Sequence, residues 1–198
     1  RRNQAMLRGQ RQQQAGAAVA APAHQALVEL LQALLGLPEP EWRHHALLTD
    51  AAGKRVGILD ISNPAAPKGL GSIDLSAIEN AEPTSVSIIG GYLVVVVDTS
   101  ASYTDPSGRA IVYRLSDRTR VRTFQLGGQP DSIAVSKDGA YEAIAIENER
   151  DEDAGDGGLP QMPAGFLVKL PVTDGMPDCA ALQRIELTGL AGIGAADP

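Results

Sequence analysis

The stretch AIAIENERDEDAGDGGLPQMPAGFLVKLPV, residues 143–172, contains the unit from which the fold is built: an apolar run, an acidic segment and a second apolar run. Ile144 and Ile146 alternate with small alanines, which is typical of a strand packed closely on both faces. Six carboxylates then fall within ten positions, with Arg150 as the only cation, and three glycines leave the backbone free to bend. The second apolar run begins at Phe166. The stretch therefore predicts two β-strands joined by a long acidic loop.

The same alternation of short apolar runs and turns recurs along the chain at nearly constant spacing. The segment VGILDIS (residues 56–62) aligns with AIVYRLS (110–116) and with GFLVKLP (165–171), at offsets of 54 and 55 residues. A second set, EPTSVSII (82–89) and QPDSIAVS (129–136), aligns at an offset of 47 residues. Four short strands that recur about every fifty residues are typical of β-propeller blades, in which each small sheet packs against its neighbours.

We therefore predict an all-β fold that forms part of a β-propeller. Two full blades are expected, over residues 83–126 and 130–187, and a partial blade is expected over residues 44–75. The unbroken apolar run Leu93–Val97 indicates a strand that is covered on both faces. A β-sandwich accounts for short strands equally well, but it does not explain the repeated spacing.

The N-terminal part of the chain follows a different pattern. Residues 1–23 are rich in Gln, Ala and Arg and contain no acidic residue, which indicates either a flexible low-complexity extension or a presequence for an organelle. Residues 24–41 are predicted to form an N-terminal amphipathic helix and a linker, since five leucines share one helical stripe. These are Leu27, Leu30, Leu31, Leu34 and Leu35. Propeller blades are assigned to residues 42–190 and a tail to residues 191–198, and we expect the chain to be a fragment.

Composition limits the partners and the chemistry. A net charge of −7 and a pI near 4.9 argue against nucleic acid as a partner, because this surface would repel a phosphate backbone. The predicted helix is too short to span a membrane. Cys179 is the only cysteine, so neither an intrachain disulfide nor a cysteine zinc site can form. One cysteine suits the cytosol and a disulfide-free secreted protein equally well.

Two segments carry a resemblance to known propellers. The run DISNP (residues 60–64), followed by Pro67, resembles short repeats of extracellular and periplasmic bacterial propellers. The run GQPDSIAVSKDGAYEAIAIENERDEDAGDGGLPQMPAGFL (residues 128–167) resembles the phytase-like esterase propellers, including members labelled alkaline phosphatase. The resemblance covers residues 55–172, and it implies a periplasmic or secreted setting and phosphoester hydrolase activity.

Blade geometry places the acidic loop on a shared rim. In an up-and-down blade, the loop between the second and third strands and the connection to the next blade emerge at the same end, so the carboxylates of several loops should share one face. These are Glu79, Glu82, Asp98, Asp105, Asp131, Glu147, Glu149 and Asp151. Calcium takes six to eight oxygen ligands, which clustered carboxylates can supply. The metal ligands that we predict are Asp98, Asp131, Glu147, Glu149, Asp151 and Asp153. The alternative is a solvated acidic loop.

Other groups of residues give weaker signals of a metal or catalytic site. The spacing of Asp151, Asp153 and Asp156 departs from that of an EF-hand loop, and Met162 stands at the position of its closing glutamate. His44 and His45 are adjacent, so on a strand they point to opposite faces. No Gly-x-Ser-x-Gly nucleophile motif occurs.

Two classes of function remain. In the first, calcium on the rim neutralises a phosphate ester and activates water, with Arg109 and Arg150 as phosphate-binding residues and no catalytic residue identified. In the second, the propeller is a non-catalytic module for interaction or assembly. Because a closed propeller needs at least four blades, we expect further blades from the same polypeptide, a cleaved companion or a second copy.

Overall fold

The computed structural model describes residues 44–149, 151, 153 and 163–187. The described part contains twelve β-strands in three small antiparallel sheets, together with one short 3₁₀ helix at Cys179–Ala181. The predicted extension, helix, linker and tail lie outside the described residues. No helix among the described residues is long and apolar enough to cross a membrane.

The middle sheet is a complete four-stranded blade. Its strands, in spatial order from one edge to the other, are β4 (Glu82–Ile89), β5 (Tyr92–Asp98), β6 (Gly108–Arg114) and β7 (Arg120–Gln125). The turn between β4 and β5 is formed by Gly90 and Gly91, and Gly90 adopts a φ of 55°, which glycine reaches without strain. The blade thus follows the up-and-down order that the repeats predict.

The last sheet repeats this order. Its strands are β8 (Pro130–Val135), β9 (Tyr141–Ile146), β10 (Phe166–Thr173), β11 (Met176–Pro177) and β12 (Gln183–Glu186). Strand β12 pairs with β10 as the fourth strand of the blade, and the short β11 pairs with the far end of β10. The 3₁₀ helix, which contains Cys179, lies between β11 and β12.

The first sheet has three described strands. They are β1 (His45–Asp50), β2 (Arg55–Asp60) and β3 (Lys68–Asp74), in the order β1-β2-β3. Strand β2 carries the repeat that reappears on β6 and β10, and β3 leads into the next blade as β7 does. The three strands therefore correspond to the second, third and fourth strands of the other blades.

Two hydrophobic cores hold the blades together, one on each face of the middle sheet. Leu93, Val95 and Val97 belong to the core that the middle blade shares with the first blade. Val94 and Val96 belong to the core that it shares with the last blade. All five side chains are fully buried, which explains why β5 is apolar at every position from 93 to 97. The prediction of all-β propeller blades is confirmed.

Candidate functional site

The rim loops lie at one end of the blades, where they line an open cleft. Its volume is about 1060 Å³. Five acidic side chains contribute from the β4, β5, β8 and β9 ends, namely Glu82, Asp98, Asp131, Glu147 and Glu149. Hydroxyl groups from Thr84, Ser100, Ser102 and Tyr103 also line it. The charged residues that these strand ends bring to the cleft are therefore acidic.

Gln129 connects the loops of two blades across the cleft. It stands immediately before β8, and its Nε2 lies 3.3 Å from Oδ2 of Asp98, at the end of β5 in the neighbouring blade. Its Oε1 accepts a hydrogen bond of 2.8 Å from the backbone N–H of Glu149. The side-chain amide of Gln129 therefore lies between the Asp98 carboxylate and the start of the acidic loop.

Asn148 fixes both ends of the acidic loop. Its Oδ1 accepts from the Gln129 backbone N–H at 2.9 Å, and its Nδ2 donates to the carbonyl of Ala164 at 2.9 Å. Asn148 adopts a φ of 50°, in the left-handed region that asparagine tolerates better than most residues. The backbones of Gly165 and Ile146 approach closely: a Cβ added to Gly165 would lie 2.6 Å from the carbonyl oxygen of Ile146. The loop therefore begins and ends in a fixed geometry.

Asp98 is held by its own loop. Its Oδ1 accepts from the Ser100 backbone N–H at 2.8 Å and from the Ser100 hydroxyl at 2.6 Å. Ser107 closes the base of this loop, since its N–H donates to Ser100 Oγ at 3.0 Å. One oxygen of Asp98 is thus occupied within the loop, and the other lies toward Gln129.

The structure brings together some of the predicted site residues but not all of them. Asp98, Asp131, Glu147 and Glu149 line the cleft, as does the rim residue Glu82. Asp151 and Asp153 lie further along the loop, where the Asp153 N–H donates to Asp151 Oδ1 at 3.0 Å. The lining does not include Glu79 or Asp105. Among the described residues, no three His, Cys, Asp or Glu side chains are grouped so that they could hold a metal ion.

The structure describes one of the two arginines that were predicted to bind phosphate. Arg109, on β6, is half-buried and does not line the cleft, and its buried Nε has no hydrogen-bond partner within the part of the chain that the structure describes. Arg150 lies outside the described residues. The cation that does line the cleft is Arg55, whose Nε is 2.8 Å from Asp50 Oδ2. The pKa of Asp50 is lowered by the Gly53 backbone hydrogen bond and then by the bond from Arg55.

A buried carboxyl group away from the cleft was missed by sequence reasoning. Glu142, on β9, is fully buried where the last blade packs on the middle one, and Ser87 on β4 donates its hydroxyl to Glu142 Oε1. Glu142 Oε2 has no hydrogen-bond partner among the described residues. Burial raises the pKa of Glu142 to about 7, although the Ser87 hydrogen bond partly opposes the rise. The sequence contains one signal of this burial: in a strand, Glu142 lies on the same face as the apolar residues Ile144 and Ile146.

Comparisons with known proteins identify the family. Among solved structures, the chain is similar to hydrazine synthase of Kuenenia stuttgartiensis, with 13% identity and a TM-score of 0.47 over 72% of this chain and 34% of that one. It is also similar to the tail fiber of Staphylococcus aureus phage P68, with 9% identity and a TM-score of 0.32 over 71% of this chain and 28% of that one. The chain spans at most about a third of the length of these two structures. No functionally curated protein matches it. The choice-of-anchor I domain family model matches residues 42–175, well over half of the sequence, and the chain therefore belongs to that family.

Proposed function

We propose that the chain is a non-catalytic extracellular binding module, and that its rim cleft takes a positively charged ligand, of which calcium is the first to test. Membership of a choice-of-anchor family supports an extracellular or cell-surface setting. The resemblance of residues 128–167 to phytase-like propellers supports the narrower assignment to the periplasm or the secreted fraction. The observation that carries the proposal is the negative charge of the cleft, together with the hydrogen bonds by which Gln129 joins its two acidic loops.

The charge of the cleft favours a cation. Of the described residues that line it, six carry carboxylates and one, Arg55, carries a positive charge. Arg55 is paired with Asp50, so it neutralises a carboxylate that is one of the six. The remaining carboxylates place several negative charges around one cleft, and a bound cation would offset that charge. A free anionic ligand, by contrast, would be repelled by most of the charged residues described in the lining.

The backbone of the cleft needs little reorganisation for a ligand to bind. Gln129 and Asn148 hold the Asp98 loop and the start of the acidic loop through hydrogen bonds of 2.8–3.3 Å. A site whose backbone is already fixed loses less conformational entropy when a ligand binds. The described carboxylates do not yet form a group of three around one point, so calcium binding would require inward rotation of their side chains.

The residues of the cleft favour binding over catalysis. No histidine or cysteine occurs among the described residues that line it. The hydroxyl of Ser100 donates to Asp98 Oδ1, but the same carboxylate also holds the Ser100 backbone N–H in a local turn. A catalytic nucleophile would need a base positioned to accept its proton and then held by a third group. The Ser100 contacts are those of a loop that fixes its own shape.

Calcium titration tests the proposal. We expect heat of binding by isothermal titration calorimetry, and a melting temperature that rises from excess chelator to millimolar calcium. A ligand that binds only the folded state at a hundredfold excess over its dissociation constant adds about 2.7 kcal/mol. Magnesium should replace calcium poorly, because it requires tighter octahedral geometry. Asp98→Asn and Glu149→Gln should abolish most of the shift.

Asp174→Asn is the matched control for these variants. Asp174 is an exposed carboxylate in the turn after β10, at the opposite end of the blade from the cleft, and its φ of 53° suits asparagine. This variant should keep the full calcium response. A melting temperature that is equal in chelator and in calcium, without any heat of binding, would refute the calcium assignment.

A second candidate is a calcium-assisted phosphoester hydrolase of the phytase-like kind. It is favoured by the loop of residues 147–165, which carries the resemblance, and by the placement of Asp98 opposite Glu149 across Gln129. In this case calcium would neutralise the substrate phosphate. Turnover of a chromogenic phosphate monoester, with and without calcium, separates the two candidates. Calcium-dependent turnover that is lost in Glu149→Gln would replace the binding module with the hydrolase.

A further inference from the structure

The inner edge of β1 differs from the corresponding edge in the other blades. Strand β2 corresponds to β6 and β10 through the repeat, so β1 corresponds to β5 and β9. In the middle blade β4 covers the inner edge of β5, and in the last blade β8 covers the inner edge of β9. No described strand occupies the equivalent position beside β1.

The hydrogen-bond pattern shows which groups of β1 point to that edge. Ile61 N–H donates to the His44 carbonyl at 2.6 Å, which fixes the alternation of the antiparallel pair between β1 and β2. The backbone groups of Ala46, Leu48 and Asp50 then face β2. Those of His45, Leu47 and Thr49 point the other way, toward the inner edge. No backbone hydrogen bond from these three amides is found within the described part of the chain.

The two complete blades show what fits such an edge. Strands β4 and β8 begin with the same arrangement, in which Pro83 and Pro130 precede Ser85 and Ser132 by two residues. In both strands the register shifts between that proline and that serine, so the bulge recurs at the same place. Alternating apolar residues follow, beginning with Val86 in β4 and Ile133 in β8. The inner strand of a blade here therefore has the pattern Pro-x-Ser-(Val or Ile).

The printed sequence uses this pattern only in β4 and β8. No serine precedes Ser62 or follows Ser136, so neither the residues before β1 nor those after β9 contain a third copy. We propose that the inner edge of β1 binds, by β-strand addition, a strand of the pattern Pro-x-Ser-(Val or Ile) from a further propeller blade. The strand runs antiparallel to β1 and pairs with His45, Leu47 and Thr49.

A peptide in trans tests this proposal. The probe is GGQPDSIAVSKD, the sequence of residues 127–138, and a peptide of the same composition in scrambled order is the control. Amide hydrogen exchange of the 198-residue chain is measured with and without each peptide. The probe should slow exchange at His45, Leu47 and Thr49 by about tenfold or more, because edge amides that join a ladder become protected. The scrambled peptide should leave these rates unchanged.

Two proline variants separate the edge from the rest of the surface. Thr49→Pro removes one amide that points to the inner edge and keeps the bonds to β2, so it should abolish the protection without unfolding β1. Thr123→Pro is the matched control. Thr123 lies on β7, and the bond of 2.8 Å from Leu126 N–H to the Gly108 carbonyl places its amide on the outer edge of the middle blade. This variant should keep the response to the probe.

The remaining outcomes overturn the proposal. Unchanged exchange with millimolar probe would mean that the edge does not accept this strand. Protection of the three amides in the monomer before any peptide is added would mean that the chain's own residues already cover the edge. Protection that rises with protein concentration, together with a dimer in sedimentation velocity, would assign the edge to a second copy.

Discussion

Replacing Glu142 with glutamine should change how the stability of the protein depends on pH. Glu142 lies fully buried between the middle and last blades, and its Oε2 has no hydrogen-bond partner among the described residues. Desolvation raises its pKa from an ordinary value of 4.5 to about 7, against the opposing effect of the Ser87 hydrogen bond. The folded protein therefore holds this proton over a pH range in which the unfolded chain has lost it.

The sign and size of the effect follow from proton linkage. Between pH 4.5 and 7 the native state binds more protons at Glu142 than the unfolded state, so the free energy of unfolding falls as the pH rises. The contribution is fully present below the unfolded pKa and is lost once the pH has passed the folded pKa. Two such pKa values give a loss on the order of 2.5 kcal/mol between pH 5 and pH 8. Glutamine cannot titrate, so Glu142→Gln should lack this loss.

Urea unfolding followed by far-ultraviolet circular dichroism at pH 5, 6, 7 and 8 measures the difference. At pH 5 the variant should be within about 1 kcal/mol of the parent protein, because glutamine is similar in size to the neutral acid and can accept the Ser87 hydrogen bond. At pH 8 it should be the more stable of the two. Glu79→Gln, at an exposed position on the rim, is the control and should follow the parent. Equal pH slopes for the parent and Glu142→Gln would refute the reasoning.

Three further substitutions test the cores and the loop that carries the acidic residues. Leu93→Ala removes a fully buried side chain from the core between the first two blades and should cost about 2–5 kcal/mol in urea unfolding. Gly165→Ala places a Cβ 2.6 Å from the Ile146 carbonyl oxygen, and the strain should lower stability by about 1–3 kcal/mol in the same assay. Asn148→Ala removes the bonds to Gln129 and Ala164 and puts alanine at a φ of 50°, so limited proteolysis should cut the acidic loop faster. Unchanged cleavage of that variant would contradict the anchoring role of Asn148.

The blades could be predicted from the sequence because each strand carries its own signal. The run Leu93–Val97 is apolar at every position, and its side chains pack alternately into two different cores. Turn residues such as Gly90 recur at the ends of strands, and the repeat offsets align one blade with the next. All of these signals are local in sequence or periodic, so no knowledge of distant contacts is needed to find them.

The contacts that shape the cleft could not be predicted in this way. Gln129 reaches Asp98, 31 positions away, and its role depends on the distance between two blades rather than on any residue pattern. The pair of Ser87 and Glu142, which lies away from the cleft and joins residues 55 positions apart, could not be predicted either. The strand phase of Glu142 indicates a buried face, but it does not identify Ser87 as the partner. Such pairs form only after the hydrophobic cores have fixed the packing of the blades.

The residues of the cleft can be substituted independently of those in the cores. The cores between the blades are formed by buried apolar side chains, whereas the acidic residues of the cleft and Gln129 lie at or near strand ends, as Asp98 does. Rim substitutions that keep Gln129 and Asn148 therefore leave the blade packing intact while they change the charge of the cleft. Substitution of Gln129 itself should act differently, because it would loosen the loops of both blades together. We therefore expect specificity for the ligand to reside in the carboxylates, and the geometry of the site to reside in the two amides.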